Sequence, residues 1–263
     1  MGCIWVTDVK NAAYALSIAI VFSTLILSFA LVESSKNIGG LSLARTVQTA
    51  GTVATPVATA VATSTPAPTA YATATPVPSI LTPKVDLKGW PYLGPDNAKV
   101  ILIEYTDLQC PFCSRHHNQA YPSIVKDYVN TSKIKYVVKM FPLSSIHPYA
   151  ENAGLATACA AVQDNDKAIA FVDKVFNNQD SIDVPDLKKY AVAVGLDSAK
   201  FDACLDGKTT QATVDASFQE GVDNGVSGTP SFLVLKADGT AERIVGAQPY
   251  SVFKTALDKA LAA

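Results

Sequence analysis

The chain has 263 residues, with 21 Lys and Arg against 23 Asp and Glu, and a formal net charge of −2. Its pI is near 5.9, and no dense cluster of Lys and Arg occurs along the sequence. These features exclude the electrostatic footprint of a nucleic-acid-binding protein. We therefore expect no nucleic-acid partner.

A charge-free apolar segment lies at residues 12–32, AAYALSIAIVFSTLILSFALV. It is long enough for a helix to cross a hydrocarbon core of about 30 Å, and it exceeds the roughly 7 to 15 residues of the apolar region of a signal peptide. Ser28-Phe29-Ala30 resembles a signal-peptidase site, so cleavage stays an alternative. We predict an uncleaved transmembrane anchor that follows a short N-terminal segment, residues 1–11.

Residues 33–84 are predicted to form a disordered linker. From Thr46 to Lys84 the sequence is rich in Thr, Ala, Pro and Val, with repeated Thr-Pro and no amphipathic period. Proline favours the polyproline II conformation and lacks a backbone donor, so this composition does not build a packed core. The folded domain is expected within residues 85–263.

The domain begins near Trp90 with a β-α-β pattern. KVILIEYTD, residues 99–107, and KIKYVVKMF, residues 133–141, are short apolar runs rich in β-branched residues and predict buried strands. Residues 111–129 between them predict a helix with Pro111 in its first turn. Two strands joined by a helix are expected to pair in parallel.

The rest of the chain predicts helices, a hairpin and a last helix. Ala-rich helical patterns fill residues from about 148 to 215. In SFLVLKADGTAERIVG, Asp238-Gly239 lies between two apolar runs, which indicates a β-hairpin. Residues 249–262 predict a closing amphipathic helix. This order of elements is typical of an α/β domain with a helical insertion.

The stretch DLQCPFCSRHH places two cysteines after the first predicted strand. Cys110 lies where the helix begins, so the unpaired amides and the positive end of the helix dipole favour its thiolate. We predict that Cys110 is an accessible nucleophile. Cys113, one helical turn later and directed into the fold, is predicted to be the resolving thiol.

This stretch has two other interpretations. His116 and His117 would complete a set of four zinc ligands, but four ligands within eight residues of one helix do not easily surround a tetrahedral ion. We expect no metal site and assign both histidines to the solvated helix surface. A purely structural Cys110–Cys113 bridge stays an alternative, although a loop this short gives little stabilisation.

From about Trp90 to its end, the chain resembles the DsbA-type members of the thioredoxin superfamily. The resemblance rests on CPFC after an apolar strand, FPL followed by HP.A, F..CLD, and GVSGTPSFLV. It implies a thioredoxin fold with an inserted helical domain, here preceded by the transmembrane helix and the linker. It also implies thiol-disulfide oxidoreductase activity without a cofactor.

The resemblance assigns roles to residues around the cysteines. In that family the proline matching Pro230 is cis and lies beside the active-site cysteines, where the backbone at Thr229 would bind an incoming peptide. An ordinary loop proline is the alternative. Strongly oxidising members often carry histidine where this chain has Phe112, so we expect a somewhat less oxidising couple.

Glu104 lies in an otherwise apolar strand, and a buried carboxylate needs a partner. The resemblance suggests a carboxylate close to the active site, with Lys135 on the neighbouring strand as the candidate partner. Its predicted role is to accept or relay the proton of Cys113. The alternative is a half-exposed strand residue without a catalytic part.

Members of the resembled family often have cysteines in the contexts of Cys159 and Cys204, and we predict a structural disulfide between them; two buried thiols are the alternative. A structural disulfide persists in an oxidising compartment. We therefore expect an extracytoplasmic domain and a cytoplasmic N-terminus.

The resulting prediction is a membrane-anchored enzyme that introduces disulfides into exported, cysteine-containing proteins. By resemblance, a quinone-linked membrane oxidase of the DsbB or VKOR type would reoxidise it. No dimerisation domain is visible ahead of the catalytic one, which argues against a DsbC-like isomerase. A monomer is expected. A reductase of extracytoplasmic disulfides and a non-catalytic peptide-binding or chaperone module remain the alternatives.

Overall fold

A computed structural model describes residues 80–263. The predicted anchor at 12–32, the segment before it and the linker up to residue 79 lie outside the described residues. Within the described part, no helix combines the length and the apolar character needed to cross a membrane.

A six-stranded mixed sheet forms the centre of the domain. In space its strands lie in the order β1-β6-β5-β3-β4-β2. β3 and β4 pair in parallel, and the other neighbours pair antiparallel. The predicted β-α-β unit and the C-terminal hairpin are therefore confirmed. The strands are β1 (Ile80–Leu81), β2 (Tyr92–Leu93), β3 (Val100–Thr106), β4 (Ile134–Met140), β5 (Ser231–Leu235) and β6 (Ala241–Val245).

The central strands are apolar because both of their faces are covered. Leu102 on β3 and Phe232 on β5 belong to the larger buried cluster, which includes Phe253 of the C-terminal helix. The next residues along the two strands, Ile103 and Leu233, belong to a second cluster on the opposite face. This alternation follows from the two-residue period of a strand.

Eight α-helices complete the described part of the chain. They are α1 (Pro111–Gln119), α2 (Tyr121–Ile124), α3 (Ala150–Ala161), α4 (Asn165–Phe176), α5 (Val184–Ala193), α6 (Ser198–Asp206), α7 (Gln211–Asp223) and α8 (Tyr250–Leu261).

The helix predicted at 111–129 is not one regular α-helix. It divides into α1, α2 and a π-helical turn at Val125–Val129. Pro122 has no N–H to donate to the carbonyl of Asn118, so the regular ladder cannot pass this point. The first segment, α1, carries both cysteines.

Two predicted boundaries differ from the structure. The inserted helices continue to Asp223, because α7 runs on through Gly221 and ends only before Gly225, which adopts a positive φ of 75°. Ile80 and Leu81, inside the segment assigned to the linker, pair with Glu242 and Ala241 at the edge of the sheet.

Cys159 of α3 and Cys204 of α6 form the disulfide that the resemblance implied. The bridge joins two helices of the insertion and closes a loop with a sequence separation of 45. A loop of this length gives a stabilisation of about 4 kcal/mol when closure entropy alone is considered.

We expect the double variant Cys159→Ala/Cys204→Ala to lower the free energy of unfolding by about 4 kcal/mol, because the unfolded chain regains that closure entropy. Urea unfolding followed by tryptophan fluorescence measures the change. The matched control is Cys110→Ala/Cys113→Ala, which opens a much shorter loop. Equal destabilisation by the two variants would contradict the loop argument.

Candidate active site

Cys110 is the N-cap residue of α1, in an extended conformation with φ −71° and ψ 123°. Pro111 follows as the first helical residue, where its missing N–H costs no hydrogen bond. The Cys110 sulfur therefore lies beside the backbone amides of Phe112 and Cys113, which favour the thiolate.

Both cysteines are thiols in this structure, and neither is freely exposed. Cys113 is 0% exposed and Cys110 is 3% exposed. Cys110 is more enclosed than the sequence predicted, because the segment before β5 lies against it. The Thr229-Pro230 bond is cis, and the Cys110 thiol donates to the Thr229 carbonyl at 3.5 Å.

The two thiols differ in acidity. The hydrogen bond donated by the Cys113 thiol outweighs burial and, with the first amides of α1, lowers the pKa of Cys110 to about 6. Burial raises the pKa of Cys113 well above its ordinary value, and the Cys110 sulfur and the Glu104 carboxylate add to the rise. Near neutral pH the arrangement holds one thiolate and one protonated thiol.

Glu104 is buried in β3, on the same face of the strand as Leu102 and Thr106. Its Oε2 accepts a hydrogen bond from the Tyr136 hydroxyl at 2.7 Å, whereas its Oε1 has no hydrogen-bonding partner among the described residues. Burial raises the pKa of Glu104 to about 7, opposed by the hydroxyls of Tyr136 and Thr106. This carboxyl group can take up or release a proton near neutral pH.

The prediction that Lys135 pairs with Glu104 is wrong. In the parallel register, Val138 lies opposite Glu104 and Lys135 lies opposite Ile101. Lys135 instead donates to Asp96 Oδ1 at 2.8 Å, with its Nζ 3.6 Å from the centre of the Tyr92 ring. A shift of three residues along β4 therefore separates this cation from the cysteines.

His116 was predicted to be solvated, but it is 1% exposed. Its ring lies 4.5 Å from that of Phe232 and 5.1 Å from that of Phe253, measured between centroids. Its Nε2 is 3.0 Å from the Tyr136 hydroxyl. The assignment is wrong because this face of α1 packs on the sheet and α8.

His117 is also largely covered. Its ring stacks between those of Tyr121 and Phe176, with centroid distances of 4.9 and 4.7 Å, and its Nε2 is 3.6 Å from Asp173 Oδ1. Burial lowers the pKa of His117 to about 4. Helix α4 of the insertion covers the face of α1 that the sequence predicted to be solvated.

Gln179, which follows α4, is a site residue that the sequence did not predict. Its Nε2 donates to the carbonyls of Leu108 at 2.7 Å and Cys110 at 3.1 Å. The insertion thereby holds the turn that leads into α1. A single glutamine after a helix gives no pattern that would have indicated this contact.

Asp107 holds the same turn from the other side. It accepts hydrogen bonds from the Gln109 amide at 2.8 Å, the Leu143 amide at 3.0 Å and His147 Nδ1 at 2.7 Å. His147 belongs to the HP.A motif quoted above, so that motif was the available signal for this contact.

Phe112 lies at the surface beside the cysteines, 52% exposed, with the Arg115 guanidinium 4.9 Å from its ring centre. Ile146 and Tyr149 are exposed on the segment that Asp107 holds, and the Tyr149 amide donates to Gln109 Oε1. Exposed apolar side chains therefore occur on both segments next to Cys110.

Solved structures share this fold. DsbA1 of Wolbachia pipientis is 24% identical, with a TM-score of 0.60 over 68% of this chain and 94% of that protein. Oxidised BdbD of Bacillus subtilis is 22% identical, with a TM-score of 0.62 over 70% of this chain and 100% of that one. The domain thus has a DsbA-like thioredoxin fold.

A curated relative, the Na(+)/H(+) antiporter NhaA 3 of Salinispora tropica, is 33% identical over 144 residues, which is 54% of this chain. The chain spans about a fifth of the length of such relatives, 21% for this one. Residues 87–259 match the family model described as thioredoxin. The chain therefore belongs to the thioredoxin family.

Proposed function

We propose that this chain is an extracytoplasmic thiol-disulfide oxidoreductase that introduces disulfides into exported proteins through the Cys110–Cys113 pair. The observation that carries the proposal is the difference between the two thiols. The helix amides and the Cys113 thiol stabilise the Cys110 thiolate, whereas Cys113 is fully buried and kept protonated. Exchange through a mixed disulfide requires such a pair.

The reaction begins with the oxidised pair. A substrate thiolate attacks the Cys110 sulfur, the Cys110–Cys113 bond breaks, and Cys113 leaves with the electron pair and takes a proton. A second substrate thiolate then attacks the substrate sulfur of the mixed disulfide, and Cys110 leaves as a thiolate. Two electrons pass to the enzyme, and the substrate gains a disulfide.

Glu104 is the proposed source of the proton that Cys113 needs. A buried thiolate at Cys113 is unfavourable because it lies in a low-dielectric site next to Cys110. The pKa of Glu104, raised to about 7, makes the carboxyl group a proton donor to the departing sulfur. In the reverse direction its carboxylate accepts the proton as Cys113 attacks a mixed disulfide.

The proposed substrate class is an unfolded or extended polypeptide with cysteines. The Thr229 backbone beside Cys110 can form strand-like hydrogen bonds with an extended segment. The exposed side chains of Phe112, Ile146 and Tyr149 supply apolar contacts on the neighbouring segments. Neither feature selects one sequence, which suits an enzyme that acts on many exported proteins.

The rest of the proposal concerns the cellular setting. The Cys159–Cys204 disulfide supports an oxidising compartment. The apolar segment at 12–32 would tether the domain to the membrane with a cytoplasmic N-terminus. A quinone-linked oxidase of the DsbB or VKOR type would then reoxidise the dithiol within reach of the tether.

We expect Cys113→Ala to accumulate a mixed disulfide between Cys110 and a cysteine-containing peptide, because the resolving sulfur is missing. Non-reducing mass spectrometry detects the adduct after reaction with a peptide whose thiols are activated as mixed disulfides. Cys110→Ala is the matched variant and should form no adduct; both variants carry Cys3→Ala, because Cys3 is a further thiol of the chain. If Cys110→Ala keeps full activity in suppressing aggregation of an unfolded protein and no adduct forms with Cys113→Ala, the chain is a peptide-binding module.

We expect a reduction potential less negative than about −200 mV, because a low thiolate pKa stabilises the reduced form and makes the disulfide oxidising. Equilibration in glutathione buffers, thiol alkylation and mass measurement give the fraction of the Cys110–Cys113 disulfide. Phe112→His should raise the potential further. A value near the roughly −270 mV of thioredoxin would favour the reductase.

We expect Glu104→Gln to slow the attack of Cys113 on a mixed disulfide by about 100-fold at pH 7.5, because general-base catalysis is lost. With Ellman's reagent and the dithiol enzyme carrying Cys3→Ala, the second release of thionitrobenzoate reports this step. In the wild type its rate should rise with pH through the Glu104 pKa of about 7. Glu242→Gln, at the surface of β6, is the matched control. If the rate of the second release rises with pH in Glu104→Gln as it does in the wild type, Glu104 has no part in the mechanism.

A further inference from the structure

His116 is a buried titratable residue that the exchange reaction above does not use. It lies three residues after Cys113 on α1, between the rings of Phe232 and Phe253. Its Nδ1 is buried and has no hydrogen-bonding partner among the described residues. A phenyl ring would fill this apolar space without leaving a polar atom unsatisfied. Packing alone therefore does not account for an imidazole here.

The other ring nitrogen joins His116 to the carboxyl group near the cysteines. Nε2 is 3.0 Å from the Tyr136 hydroxyl, and that hydroxyl is 2.7 Å from Glu104 Oε2. A hydroxyl has one proton to donate and lone pairs with which to accept. When Tyr136 donates to the Glu104 carboxylate, its oxygen is free to accept from the Nε2–H of His116.

The alternative direction is unfavourable in this environment. If the Tyr136 hydroxyl donated to Nε2, the proton of the neutral imidazole would lie on Nδ1. That N–H would be buried among aromatic rings without an acceptor, and orphaned buried N–H groups are rare in proteins. Glu104 would also lose its donor. The tautomer of His116 with the proton on Nε2 therefore keeps the hydroxyl directed at the carboxyl group.

His116 acts as a neutral dipole and not as a cation. Burial, with a contribution from His117, lowers the pKa of His116 to about 3. Other titratable groups face His116 and Glu104 from α1 and its N-cap, α2, β4 and α4, whereas β5 and α8 contribute only phenyl rings. These titratable groups are Cys110, Cys113, His117, Tyr121, Tyr136 and Asp173. None of these groups is a permanent cation, so hydrogen-bond donors are what stabilise the carboxylate.

We propose that His116 is a positioning residue that, through the Tyr136 hydroxyl, stabilises the carboxylate form of Glu104. The catalytic role of this stabilisation rests on the proposed function, in which Glu104 both gives a proton to Cys113 and takes one from it. Without the hydrogen bonds from His116 to Tyr136 and from Tyr136 to Glu104, burial would leave Glu104 protonated over a wider pH range. The carboxyl group would then be a poorer acceptor when Cys113 attacks.

The test measures the pKa of Glu104 directly in the full chain, purified in mild detergent and with the Cys110–Cys113 pair oxidised so that the thiols do not titrate. The chain has five glutamates, Glu33, Glu104, Glu151, Glu220 and Glu242. Labelling the glutamate carboxyl carbons with 13C therefore gives a short list of NMR signals, and Glu104→Gln identifies the relevant one.

We expect His116→Phe to raise the pKa of Glu104 by about 0.5 to 1 unit, because the Tyr136 hydroxyl loses the donor that polarises it. His116→Gln, whose amide can donate from a similar position, should restore most of the wild-type value. Tyr136→Phe should produce a larger rise, and His116→Phe should then add nothing further. His117→Phe is the matched control, a neighbouring covered histidine without a contact to Tyr136, and should leave the titration unchanged.

Either of two results would overturn the proposal. One is a Glu104 titration that His116→Phe leaves unchanged while near-ultraviolet circular dichroism shows a native fold. The other is an equal shift by His116→Phe with and without Tyr136→Phe, which would mean that His116 acts on Glu104 independently of the hydroxyl. Should His116→Phe not fold, His116→Met, which also lacks a hydrogen-bond donor, replaces it in both comparisons.

Kinetics separates this proposal from the proposed function. In His116→Phe the pH midpoint of the second thionitrobenzoate release should move upward by the same amount as the pKa of Glu104. A shift seen by NMR without a kinetic shift would support His116 as a positioning residue and would remove Glu104 from the exchange reaction.

Discussion

The burial of Glu104 in the central strand is the constraint on which the proposed chemistry of this domain depends. β3 pairs with strands on both sides, and both of its faces are covered. A carboxylate in such a strand is stable only with donors or a cation nearby. The Tyr136 and Thr106 hydroxyls lie near Glu104, but no cation lies opposite it on β4. The pKa of Glu104 therefore rises to about 7.

The opposite face of the same strand shows the contrasting arrangement. There the Tyr105 hydroxyl donates to Glu220 at 2.6 Å, and Lys139 Nζ, 2.6 Å from the same carboxylate oxygen, forms an ion pair. Lys139 is the residue opposite Tyr105 in the parallel register. One face of the sheet thus holds a fully paired charge that stabilises the attachment of α7. The other face holds an unpaired carboxyl group that can exchange a proton.

The sequence was sufficient to predict those features that depend on spacing along the chain. The position of Cys110 at the start of α1 follows from a strand, two cysteines three residues apart and a proline between them. The order of the elements followed from local periodicity. The partner of Glu104 could not be predicted from local periodicity, because it depends on the strand register. A shift of three residues along β4 places Val138, and not Lys135, opposite Glu104.

Burial of the histidines also could not be predicted from α1 alone. The polar composition of this helix is typical of a solvated surface, yet one face packs on the sheet and another is covered by α4 of the insertion. Gln179 and Phe176 come from that insertion, more than 50 residues away in sequence, and only the tertiary fold brings them to α1. The insertion therefore determines how much solvent reaches the active-site helix.

The same geometry links the carboxyl group to the redox state of the cysteines. The Cys110 sulfur raises the pKa of Glu104 by electrostatic repulsion, and this effect exists only when Cys110 is a thiolate. In the disulfide form the repulsion is absent, and Glu104 releases its proton more readily. As electrons arrive and the Cys110 thiolate forms, the proton affinity of Glu104 increases. In the proposed reaction the carboxyl group is thus a better proton donor before Cys113 departs and regains a proton afterwards, which would couple electron transfer to proton uptake at one buried site.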